Sequence, residues 1–113
     1  MEINTDTYWA RIYVGLKELS NGMLYSVDKA KQLCQDYVND LGLCVNVTET
    51  EFIYTGGGEP GVIIELINYP RFPCRDTVIR NHARVLAKKL LEGLKQLRLS
   101  IVFPDYTIML TKE

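Results

Sequence analysis

The chain changes its hydrophobic period in a set order, and that order limits the folds open to it. An alternating run comes first, then a run spaced by threes and fours. Two alternating runs around a glycine cluster follow, then a longer helical run and a last alternating segment. Alternation places side chains on opposite faces of a strand, whereas three- and four-residue spacing lines one face of a helix. The elements therefore read β-α-β-β-α-β.

The first strand is expected over residues 8–19. Ala10, Ile12, Val14 and Leu16 share one parity and face the core; Trp9, Arg11, Tyr13, Gly15 and Lys17 face away. Ser26 is the expected N-cap of the first helix, with Asp28 in its first turn against the helix dipole. Val27, Ala30, Leu33, Cys34, Tyr37, Val38 and Leu41 form its apolar stripe, and Gly42 is the expected left-handed residue after it. The second strand is expected over 43–55, with a bulge near Glu49–Glu51 where its alternation slips. Gly56 to Gly61 is read as a hairpin tip, and 62–69 as the third strand. The second helix is expected near 76–97 on the stripe Ile79, Ala83, Leu86, Leu90, Leu94 and Leu97. Leu99–Phe103 reads as a connector or short strand, and Tyr106–Thr111 as the last strand.

Each helix has a single apolar stripe, so both must cover the same side of one sheet. With right-handed crossovers the fold class is α+β: a ferredoxin-like βαββαβ sandwich. Its four-stranded antiparallel sheet has the expected order 4-1-3-2, with two helices on one face. At 113 residues the chain is expected to be one such domain, residues 1–113.

Composition narrows the setting. No basic and apolar leader opens the chain, and no apolar stretch is long enough for a bilayer, so a cytoplasmic protein without a membrane partner is expected. Cys34, Cys44 and Cys74 are an odd set without a CxxC pair, which favours free thiols. Together with His82 they also lack the closely spaced ligand pairs of structural zinc sites. No metal site and no cofactor are expected. The net charge of −1 argues against a general polyanion binder. The distribution says more: residues 1–70 carry −6 and residues 71–98 carry +6.

The sheet face without helices is the main candidate for function. Trp9, Arg11 and Tyr13 from the first strand should meet Ile63, Glu65, Ile67 and Tyr69 from the third. Such a face is too apolar to sit comfortably in water. The leading expectation is a small oligomeric binding or accessory protein that forms a homodimer through this face. On the same face, Ile12-Tyr13-Val14-Gly15-Leu16 resembles the first-strand signature of RNA-recognition motifs. That resemblance implies a base stacked on Tyr13, and single-stranded RNA or nucleotide binding is the second expectation. The third strand departs from the pattern: it reads Gly61-Val62-Ile63-Ile64-Glu65-Leu66-Ile67, without aromatics and with a carboxylate where phosphates would approach.

Two further features complete the candidate site. Gly57 and Gly58 in the expected hairpin tip would give a mobile loop able to close on a partner or ligand. Arg80, Arg84, Lys88 and Lys95 form a basic helix face, with Arg71, Arg75, Lys89 and Arg98 nearby, suited to an acidic protein or a small phosphorylated ligand. The third expectation is a small enzyme whose site lies in an oligomer cleft, lined by Tyr13, Glu65, Tyr69, Arg71 and His82.

Overall fold

The computed structural model describes residues 1–112. The elements run β1 (Trp9–Gly15), α1 (Val27–Val38), β2 (Val45–Tyr54), β3 (Gly57–Ile67), α2 (Asp76–Gly93), β4 (Arg98–Val102) and β5 (Thr107–Thr111). The α+β class, the antiparallel sheet and the two helices agree with the sequence. The sheet, however, has five strands in the order β2-β3-β1-β4-β5. The additional strand comes from Pro104-Asp105, which turns the chain back into a hairpin instead of breaking one extended segment. Phe103 N–H closes the turn on the Tyr106 carbonyl at 2.8 Å, and Arg98–Val102 then pairs with Thr107–Thr111. The strand beside β1 is thus Arg98–Val102, the expected connector or short strand, and the expected last strand lies outside it at the sheet edge; the β1–β3 and β3–β2 adjacencies are as expected.

Parity explains the two faces. Ala10, Ile12, Val14, Val62, Ile64, Leu66, Leu99 and Ile101 are buried under the helices, with Ile79, Ala83, Leu86 and Leu90 of α2 packed on them. Trp9, Arg11, Tyr13, Ile63, Glu65, Ile67, Ser100 and Val102, the alternate residues of β1, β3 and β4, face the side with no helix and are half-buried. That burial pattern is the basis of the fold's stability, because apolar area removed from water is its main driving term.

Local corrections have simple causes. Ser26 caps α1 as expected, its hydroxyl accepting from Lys29 N–H at 3.2 Å. The helix nevertheless stops at Val38; Gly42 is left-handed as expected, at φ 60°, and Asp40 takes the same conformation ahead of it at φ 68°. No bulge interrupts β2: its register with β3 runs unbroken from Val45↔Leu66 to Tyr54↔Gly57. Of the expected hairpin tip only Gly56 lies in the turn, left-handed at φ 83°; Gly57 and Gly58 sit in the β3 ladder and form no mobile loop. Thr48, Glu49 and Glu51 blur the alternation because this part of the edge strand is exposed on both faces.

β1 reaches along β3 only as far as Gly15↔Gly61. Beyond that point β2 and the start of β3 continue as a two-stranded ribbon, which carries the exposed Ile53 and Tyr54.

Candidate functional site

The open face is built from register. Arg11 on β1 lies opposite Glu65 on β3, and their parity turns both side chains away from the helices. Arg11 Nε donates to Glu65 Oε2 at 2.8 Å. The guanidinium also lies 4.3 Å from the centre of the Trp9 ring, a cation–π contact one strand position away on the same face. The Glu65 hydrogen bond pushes the Arg11 pKa above its ordinary value. Both side chains keep substantial exposure, so the pair contributes under about 1 kcal/mol to stability. Its consequence is geometric: it presents a fixed cation, a fixed anion and an aromatic ring together.

These three residues border a cavity of about 490 Å³, within the range of small-molecule sites at roughly 300–1,000 Å³. Its other wall is the segment before β1, including Asp6 and Tyr8, with Asn68 at the end of β3. Tyr8 donates to Asp6 Oδ2 at 3.2 Å, and that bond to a carboxylate raises the phenol's pKa.

The sequence candidates divide between places. Trp9, Arg11, Tyr13 and Glu65 share the open face. Tyr69 follows β3 and accepts from Asn46 Nδ2 at 2.8 Å, with burial raising its pKa. Gly57 and Gly58 are near the far end of β3, in the projecting ribbon. Arg71 lies in the β3–α2 loop, its guanidinium 5.6 Å from the Phe72 ring.

Arg80, Arg84 and Lys88 belong to α2 in the opposite layer. Two of them are engaged within the chain. Arg80 donates to Asp76 Oδ1 at 3.0 Å and to Asp105 Oδ1 at 2.7 Å. Arg84 Nη2 donates to the Tyr106 hydroxyl at 2.9 Å and stands 4.9 Å from the Phe103 ring. These contacts fasten the β4–β5 turn to α2. His82 also belongs to the helical layer, with its Nδ1 2.7 Å from the Tyr37 hydroxyl; burial lowers its pKa. The fold therefore does not bring His82 to Glu65 within one chain.

Sequence reading missed Asp6, Tyr8 and Asn68. Asn68 had a usable signal: it continues the core parity of Val62, Ile64 and Leu66, and a buried amide at such a position needs partners. It also missed the bare strip opposite the glycines. Glu59 lies over Gly15, where a β-carbon would come within 2.7 Å of its Oε2. Glu59 and Tyr54 border a second cavity of about 650 Å³ at that end of the sheet.

Among the described residues, no helix is long and apolar enough to cross a membrane. No family model matches the chain, and no curated protein matches its sequence. Solved structures do. A phage SAM lyase in complex with S-methyl-5'-thioadenosine superposes with a TM-score of 0.78 at 19% identity, covering 100% of this chain and 95% of that one. A phage SAM lyase in the apo state gives a TM-score of 0.74 at 21% identity, covering 94% of this chain and 90% of that one. This chain shares, essentially end to end, the fold of those phage SAM lyase structures.

Proposed function

We propose that the chain is a small enzyme that acts on S-adenosylmethionine at the Trp9–Arg11–Glu65 cavity. The observation that carries this reading is the Arg11–Glu65 pair beside the Trp9 ring. It lies on a sheet whose fold matches, over nearly its whole length, a protein holding S-methyl-5'-thioadenosine. S-adenosylmethionine offers what this trio can complement: a purine for the indole face, a carboxylate for Arg11, and an ammonium and a sulfonium for Glu65.

The chemistry follows from the sulfonium. When the bond from sulfur to the amino-acid chain breaks, the electron pair stays on sulfur and the thioether leaves neutral. The four-carbon fragment then balances its charge by giving a proton to a base or by closing on its own carboxylate. Glu65, held by Arg11 on a rigid strand, is the group we assign to take that proton. Because charge is cancelled as the bond breaks, partial exclusion of water around the site favours the step.

Incubating the purified protein with S-adenosylmethionine and following S-methyl-5'-thioadenosine by mass spectrometry tests the reading. Product above the protein-free background supports it. Its absence, together with no binding of S-methyl-5'-thioadenosine, overturns it.

A second proposal concerns assembly. Tyr13, Ile63, Ile67 and Val102 are half-buried on the open face, and Met109 at its rim is 55% exposed. This supports self-association of the chain through that face, as a homodimer whose cleft contains the cavity. Sedimentation at micromolar concentration checks it: a dimer is expected, and a stable monomer counts against it.

A further inference from the structure

The strongest unassigned feature beside the cavity is a single buried amide. Asn68 is 7% exposed and uses its backbone and both ends of its side chain. Its Nδ2 donates to Thr5 Oγ1 at 3.0 Å and to the Asp6 carbonyl at 2.8 Å. Its own N–H donates to the Tyr8 carbonyl at 3.1 Å. Its Oδ1 accepts from Cys74 N–H at 2.9 Å. One side chain thus ties the segment before β1 to the loop that leads into α2.

That segment is not otherwise built into a helix or strand. Residues 4–8 precede the β1 ladder, which begins at Trp9↔Ile67. They nevertheless wall the cavity that holds Trp9, Arg11 and Glu65. A wall made of irregular backbone stays in place only if something fixes it, because ordering each residue costs on the order of 1–2 kcal/mol in backbone entropy. Among the described residues, Asn68 supplies three of the hydrogen bonds that do so, and each is to a different residue of the segment.

We propose that Asn68 is a positioning residue that holds residues 4–8 as a strap over the cavity, so that the strap retains the bound adenosyl ligand. The role rests on the S-adenosylmethionine reading above. Asn68 acts through the strap and the Trp9 surroundings, and it has no assigned part in bond breaking. The amide is chemically required because the Asp6 carbonyl can only accept and the Cys74 N–H can only donate. A side chain here must offer a donor on one side and an acceptor on the other, which asparagine does and aspartate does not.

The test uses the whole chain with S-methyl-5'-thioadenosine as probe, and Trp9, the one tryptophan, as reporter. Asn68→Asp keeps the shape and the bond from Cys74 but turns an acceptor toward the Asp6 carbonyl. It is expected to weaken binding about tenfold, as the loss of a buried hydrogen bond would. A retaining strap places that loss in a faster off-rate with the on-rate little changed. Without ligand, acrylamide quenching of Trp9 is expected to roughly double as the strap loosens.

Thr5→Val provides a variant outside the sheet and the core. It should shift both readouts in the same direction by a smaller factor, and the double variant should bind no more weakly than Asn68→Asp alone. Wild-type binding with both variants within about twofold in affinity, and with quenching unchanged, overturns the role of Asn68 and leaves the ligand reading standing. Failure of the wild type itself to bind overturns the reading and the retention role together.

Discussion

Phe52 lies flat against Gly61 on the open face, and the contact tolerates no side chain at 61. A β-carbon there would sit 2.7 Å from Phe52 Cδ2 and 2.7 Å from the Val14 carbonyl oxygen. The ring can move, but the β1 backbone cannot. Gly61→Ala is therefore expected to lose about 1–3 kcal/mol of unfolding free energy, the usual cost of overpacking. Trimming the ring with Phe52→Leu should not restore it. Urea titration checks both, and a Gly61→Ala protein as stable as wild type would contradict the packing.

His82 should give the fold an acid-side weakness. Burial lowers its folded-state pKa below the ordinary value near 6.5. The unfolded chain therefore binds the proton more readily, and stability rises with pH through this region. His82 contributes fully above about pH 6.5 and is lost as the pH falls toward its folded value. The melting temperature should fall between about pH 7.5 and pH 5.5, and His82→Asn should show a shallower slope there.

Tyr106 reports the cluster that fastens the β4–β5 turn. Hydrogen bonding from Arg84, and then from Arg80, holds its phenol below the ordinary tyrosine value. Tyrosinate absorbance against pH should show an early component that moves up in Arg84→Ala. Its persistence unchanged would contradict the Arg84–Tyr106 contact.

Cysteine reactivity should follow burial. Cys34 is 3% exposed, and burial pushes its thiol up to about 11. At mildly alkaline pH it holds little thiolate, and the thiolate is the reactive form. Alkylation of the native protein should reach Cys44 and Cys74 first, with Cys34 labelled only on unfolding. Peptide mapping after timed labelling checks the order.

What was legible in the sequence was whatever side-chain alternation records. Ala10, Ile12 and Val14 against Trp9, Arg11 and Tyr13 defined the two faces of β1, and those faces define the cavity. The stripe from Ile79 to Leu94 located α2 and its buried side. Less was legible where side chains are absent or strands short. Gly57 and Gly58 carry no alternation, so their place in the β3 ladder could not be read from pattern. The five-residue strands β4 and β5 are separated only by a proline turn. The strap of residues 4–8 has no period at all; its position depends on the tertiary hydrogen bonds of Asn68. The charge count of residues 71–98 indicated a basic segment. It did not reveal that Arg80 and Arg84 spend their hydrogen bonds on Asp76, Asp105 and Tyr106.

Glu65 is where the functional account is most exposed to test. S-methyl-5'-thioadenosine has no sulfonium and no carboxylate, so Glu65→Gln should leave its affinity within about threefold while cutting turnover about 100-fold or more. The most direct measurement is the rate of S-methyl-5'-thioadenosine formation from S-adenosylmethionine, by wild type and by Glu65→Gln side by side. The account expects product from the wild type well above the protein-free background and near-background formation by the variant. No product from the wild type, or equal rates from the two proteins, would contradict it.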